Sequence, residues 1–195
     1  MIPSESSAVH AEPAPFDTRA LLVSARTGDR MAFANLVRLH QSSVYSIGYR
    51  MLGRRDAAED LAQDVFLQLY RKLESIETLE HLGFWLRRVA ANLAIDRLRH
   101  SAWSTPLNDD MPEPVAPQAD DDPLMTRALA GLLGELAPPA RAVMVLRYQE
   151  DRDVAEIADA LDMPVNTVKS HIKRSLTALR GKMIGARLVT AEDMP

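Results

Sequence analysis

The sequence has no cysteine among its 195 residues. That excludes disulfides, thiolate nucleophiles and cysteine-ligated zinc, and it fits a reducing, cytoplasmic compartment. There is no run of about 18 apolar residues, so no membrane span is expected. The first residues, MIPSESSAVH, lack a basic segment followed by an apolar one, so a secretory signal is not expected. From residue 17 to 100 there is no proline, and glycine occurs only at 28, 48, 53 and 83. So few breakers leave room for long helices. What is present, 47% apolar and 26% charged residues, suits a globular protein with one ordinary core or two small ones.

Charge of one sign is missing from several stretches. Residues 163–191 hold no Asp or Glu and six bases: Lys169, Lys173, Arg174, Arg180, Lys182 and Arg187. Residues 100–126 hold no Lys or Arg and six acids. Residues 84–99 carry Arg87, Arg88, Arg97 and Arg99 against Asp96 alone, and 56–64 carry Asp56, Glu59, Asp60 and Asp64 with no base. The net charge of −4 points away from nucleic acid, but it averages segregated blocks. Two basic blocks are the electrostatic footprint of a protein that touches phosphates. Solvated helix faces are the competing explanation for either block taken alone.

The pattern predicts an all-α fold. It comprises two small helical domains joined by a flexible, acidic, Pro-rich linker, the second domain carrying a helix-turn-helix. A disordered tail is expected over 1–16 and a first domain over 17–100. The linker, 101–123, holds five of the twelve prolines. A second domain over 124–187 and a tail over 188–195 follow. Asp56 and Glu59 have capping-box spacing before a helix at 56–74, with Leu61, Val65 and Leu69 inward. A further helix at 84–100 turns Leu86, Val89, Ala90 and Leu93 inward, with Trp85 read as packing. Pro138 and Pro139 suit the first turn of a helix running to about 149.

In the second domain a short helix with Val154, Ile157, Ala158 and Leu161 inward breaks at Asp162-Met163-Pro164. A second helix follows with Val165, Val168, Ile172, Leu176 and Leu179 inward, completing a helix-turn-helix pattern. At 100° per residue from Val168, Asn166, Lys173, Thr177, Ser170 and Arg174 fall between about 140° and 240°. Lys169 lies on one flank, and His171 lies beside the apolar seam. Such a face offers donors to base edges and cations to phosphates. An ordinary helical hairpin would mix acids into its outward face.

Three stretches in this order resemble a bacterial RNA polymerase sigma factor of the extracytoplasmic-function (ECF) group. DAAEDLAQDVFLQLYRKL (56–73) is similar to the region 2 helix that docks on the polymerase core. FWLRRVAANLAIDRLR (84–99) resembles the segment that melts and reads the −10 element. Residues 136–180 resemble region 4, which reads the −35 element. The resemblance implies core-polymerase contact through Asp56, Asp60, Gln63, Asp64, Phe66 and Tyr70, on the β′ coiled coil, with the β flap as a further contact. It implies −10 contacts from Arg88, Asn92, Asp96, Arg97 and Arg99, with Asn92 at an unstacked base and Ile76 in the pocket wall, where the family often has an aromatic. It implies −35 contacts from Asn166, Thr167, Lys169, Ser170, His171, Lys173 and Arg174. His171 stands where the family commonly has arginine, a weak base in place of a permanent cation. The acidic linker would thread the basic RNA exit path of the polymerase, and an anti-sigma factor is an expected partner.

The implied function is promoter-directed initiation, with no catalytic residue, metal or cofactor. Carboxylate chemistry at 56–64 would need a supporting histidine or second cluster, which the sequence does not offer. The alternatives are a stand-alone helix-turn-helix regulator with an N-terminal sensing or dimerisation domain, and a helical scaffold with no role on DNA.

Overall fold

The computed structural model describes residues 18–104 and 130–185, with side chains over 18–100 and 130–183. The tails expected at 1–16 and 188–195, and all of the expected linker beyond residue 104, lie outside the described residues. Within them every regular element is helical: α1 (Thr18–Arg26), α2 (Arg30–Leu52), α3 (Arg55–Lys72), a 3₁₀ turn (Leu73–Ser75), α4 (Leu79–Ser104), α5 (Pro138–Tyr148), α6 (Val154–Leu161) and α7 (Val165–Gly185).

Helix starts and stops follow from single residues. Asp29 opens α2 by accepting from the N–H groups of Met31 (2.8 Å) and Ala32 (3.1 Å). Gly53 ends it at φ +73°, a left-handed conformation that glycine adopts without a Cβ clash. Thr78 Oγ1 accepts from the His81 N–H and caps α4. The expected capping box at Asp56 and Glu59 does not form. Helix α3 begins at Arg55 with Arg54 as N-cap, and the Asp56 carboxylate is taken by the Arg54 guanidinium and the Ala57 N–H. The capping box lies instead on α6. There Asp153 Oδ1 accepts from the Glu156 N–H (2.8 Å) and Glu156 Oε2 accepts from the Asp153 N–H (2.9 Å). Replacing Asp153 with alanine leaves a helix-end donor unpaired. Thermal unfolding should show a loss of about 1 kcal/mol, or about 2–4 °C in Tm.

Helices α1 to α4 form the first region, with Leu22 and Ala25 of α1 buried in its core. Leu36, Val44, Ile47 and Met51 of α2 meet Leu61, Val65 and Leu69 of α3 and Leu82, Leu86, Ala90 and Ala94 of α4. Gly48 lets α2 and α3 approach closely, because a Cβ there would lie 3.3 Å from Leu61 Cδ2 and 3.4 Å from Ala58 Cα. The 26-residue α4 runs to Ser104, past the expected boundary at residue 100. In the second region α5 buries Ala142, Val143 and Leu146 against Ile157 and Leu161 of α6 and Val168 of α7. The inward stripe of α7 is Val168, half-buried Ile172, Ser175 and Leu179, whereas Val165 and Leu176 are exposed. At 100° per residue Ser175 lies about 20° from Val168 and Leu176 about 80°, so the small polar residue, not the leucine, meets the neighbouring helices.

The two regions are not separate bodies. One apolar cluster runs through both. Arg141 of α5, only 9% exposed, donates to the Met51 carbonyl at the end of α2 (2.6 Å) and to the Gly134 carbonyl. Burial without a carboxylate partner pulls its pKa below the usual guanidinium value. A cation at the carbonyl end of α2 is favoured by the unpaired acceptors there.

Candidate nucleic-acid interface and docking groove

The outward face of α7 is built as a donor surface. Asn166, Lys169, Ser170, Lys173, Arg174 and Thr177 are all exposed, while Thr167 and His171 are half-buried at its edges. Among the described residues Lys169, Lys173 and Arg174 have no ion-pair partner, so their charges stay available to phosphates. Ser170 and Thr177 each donate back to the carbonyl four residues earlier, at 2.8 and 2.9 Å, which fixes their rotamers and leaves their lone pairs outward. Lys182 is ion-paired with Glu135 and so is not among the free cations of the basic block. The turn that presents α7 is tight. Asp162 takes φ +51°, and the Met163 N–H donates to the Ala158 carbonyl (2.9 Å).

On α4 the residues expected at the −10 element fall into two groups. Arg88 and Asn92 share a face one turn apart, and both reach into the second region. Arg88 Nη1 donates to the Asp159 carbonyl (2.8 Å), and Asn92 Nδ2 to the carbonyls of Arg88 (2.9 Å) and Ala160 (3.1 Å). Arg97 points elsewhere. It pairs with Asp64 of α3 at 2.5 Å and donates to the Ala57 carbonyl at 2.9 Å. Two residues expected in different interfaces are thus each other's partners. Asp96 and Arg99 are exposed and 3.9 Å apart. Ile76 is not in any pocket wall: it is fully buried in the core behind the 3₁₀ turn. The exposed positions of that loop are the polar Ser75, Glu77 and Thr78.

Arg87, one residue before Arg88, is half-buried against the second region. Burial, and then the nearby Arg152, hold its pKa below the usual value, while Glu150 and Glu156 oppose the shift. His40 is also held below its ordinary pKa, by burial first and then by Arg87.

A third feature is a groove of about 1100 Å³ between α2 and α3. Phe33 and Val37 of α2 form one wall, and Gln63, Phe66, Leu67 and Tyr70 of α3 the other. The Phe33 and Tyr70 rings meet edge-on at 5.2 Å. Leu67 and Tyr70 are 55% and 60% exposed, large apolar surface left uncovered by the chain itself. Exposed Asp60 and Asp64 flank the Leu67 wall on the same helix. Motif and charge reasoning on the sequence misses Leu67 and the α2 wall. Leu67 does carry a signal, because it lies opposite the inward stripe of Leu61, Val65 and Leu69.

Both halves match known protein families. The Sigma-70 region 2 family matches residues 36–104, and the Sigma-70 region 4 family matches residues 126–179. A chain carrying both in this order is a sigma-70-type factor. The ECF RNA polymerase sigma factor SigW of Bacillus subtilis is 31% identical over 175 residues, covering 81% of this chain and 92% of that one. The ECF RNA polymerase sigma factor SigE of Mycolicibacterium smegmatis is 32% identical over 196 residues, covering 93% and 74%. The chain belongs to the ECF RNA polymerase sigma factors. Its fold is similar to that of CnrH, solved in complex with the cytosolic domain of CnrY. There the TM-score is 0.62 at 22% identity, over 86% of this chain and 97% of that one. It is also similar to the sigma factor RpoE of Bartonella quintana, solved with the anti-sigma factor NepR, with a TM-score of 0.64 at 19% identity, over 76% and 94%. No helix among the described residues is long and apolar enough to cross a membrane.

Proposed function

We propose that the chain docks on the polymerase core through the α2–α3 groove, reads the −35 duplex with α7, and captures −10 bases with Arg88 and Asn92 of α4. The observation that carries this reading is the α7 face: six exposed hydrogen-bonding or cationic side chains with no acid among the described residues from 163 to 185. The groove supports the docking assignment by its uncovered aromatic and aliphatic anchors beside a carboxylate rim, a composition suited to a partner with apolar and basic side chains. The β′ coiled coil is the assigned partner there, the β flap a second contact, and an anti-sigma factor a competitor for these surfaces. Ile76, buried in the core, takes no part in the −10 contact. The chain works in the cytoplasm and makes or breaks no covalent bond itself: it positions the enzyme. Run-off transcription with purified core polymerase and a genomic promoter library is the test. New start sites should appear on adding the chain, and none appearing would overturn the reading.

A further inference from the structure

Among the residues of α4 expected at the −10 element, Arg97 is the one whose side chain turns to the docking helix. Its guanidinium reaches α3 at two points, donating through Nη2 to Asp64 Oδ2 (2.5 Å) and through Nη1 to the Ala57 carbonyl (2.9 Å). Residues 57 and 64 lie two turns apart and only about 20° apart around the helix axis. On the same wheel Asp60 lies about 40° from Asp64 and Leu67 about 60°, both toward the groove. Asp64 thus stands at the edge of α3 where the groove rim meets α4. The pair also sorts the acids of 56–64. Asp56 is held by Arg54 and Asp64 by Arg97, whereas Glu59 and Asp60 have no ion-pair partner among the described residues. Asp64 remains half-exposed, and Arg97 bonds its Oδ2 atom only. An ionised carboxylate accepts at both oxygens, so Oδ1 is left for another donor.

We propose that Arg97 is a positioning residue of the core-docking face, not a contact to −10 DNA. It holds the Asp64 carboxylate in one orientation at the groove rim and leaves one oxygen for a basic side chain of the core. That role rests on the docking assignment above. Arg97 is only 30% exposed and already faces a carboxylate, so little of its charge is left for a phosphate. Two consequences of losing Arg97 oppose each other. The rim becomes more negative, which speeds encounter with a basic partner but is screened by salt. The carboxylate also loses its fixed orientation and has to be ordered on binding, which shortens the life of the complex. At about 0.15 M salt the screened effect is the smaller one, so orientation decides the sign.

The test is the lifetime of labelled full chain on purified core polymerase, chased with unlabelled chain at about 0.15 M salt. Arg97→Ala should dissociate about five- to tenfold faster than wild type. Arg97→Lys keeps a cation at Asp64 and should stay within about threefold of wild type. In an Asp64→Asn background, Arg97→Ala should cost less than about twofold more, because its effect runs through Asp64. A residue that only braced α3 through the Ala57 carbonyl would cost the same in both backgrounds. Affinity of the holoenzyme for a non-template −10 oligonucleotide should stay within about twofold in Arg97→Ala. An unchanged lifetime in Arg97→Ala, an equal loss in the Asp64→Asn background, or a loss of oligonucleotide affinity with core binding intact would overturn the role. With Leu67→Arg still weakening core binding, each of those results leaves the docking face in place. If Leu67→Arg binds core as wild type does, the docking face falls and the role of Arg97 with it.

Discussion

Leu67→Arg should weaken binding to core polymerase by about 100-fold and leave the fold intact. Leu67 is 55% exposed on α3 and lines the groove beside Phe66 and Tyr70. A substitution at an exposed helix position costs the free chain little, usually within about 0.5 kcal/mol. In a docked complex the same position would place an uncompensated cation in a desolvated apolar contact, one of the few mechanisms that costs several kcal/mol. Asp60→Arg tests the rim rather than the anchor. It should weaken binding by about tenfold at low salt and less at high salt, because exposed charges are screened over about 10 Å at 0.1 M. Asp64→Arg is a poorer probe. Asp64 holds Arg97, so its replacement strips that guanidinium of its partner and sets two cations together. Affinity measured by titrating labelled chain with core, alongside thermal melting, separates the cases. Binding of Leu67→Arg within about twofold of wild type, at unchanged Tm, would move the docking face elsewhere.

The fold is more legible in the sequence than the contacts between its two regions. Period-3.6 spacing of apolar residues is a property of one helix, and it placed Leu61, Val65 and Leu69 in the core. It could not show that Arg88 and Asn92 find acceptors on α6, because those acceptors are backbone carbonyls, which every residue has. Arg141 hides for the same reason: an arginine among apolar neighbours has no sequence mark saying that its partners are helix-end carbonyls rather than a carboxylate. Where two short motifs had the same form, local competition decided. Asp56-x-x-Glu59 and Asp153-x-x-Glu156 share their spacing, but Arg54 draws away the first aspartate and nothing draws away the second. Ile76 shows the limit of carrying a family position over by sequence likeness alone. In a loop of polar residues an isoleucine is the side chain with most to gain from the core, and it is buried there, leaving any wall in that loop to Ser75, Glu77 or Thr78.

Lys173→Ala combined with Arg174→Ala should reduce affinity for a −35 duplex by about 30–100-fold at low salt. It should also lower the slope of log K against log salt by about 2. Both residues are exposed on α7, point with Asn166 and Ser170 away from the core, and have no ion-pair partner among the described residues. Every lysine or arginine that neutralises a phosphate releases nearly one counterion, so the slope reports the number of such pairings independently of the affinity. Arg88 and Asn92 meet the carbonyl end of α6, so the outward face of α7 stays open to solvent. The free full chain and the holoenzyme should therefore show the same change in slope. Asn166→Ala is the complementary variant. An amide carries no charge, so it should leave the slope unchanged and relax discrimination at one base pair, by about 1–3 kcal/mol. Fluorescence anisotropy on duplexes differing at single positions, across a salt series, reads both quantities. An unchanged slope in the double variant would mean that α7 does not lie against phosphates. The acid-free face would then be an ordinary solvated one.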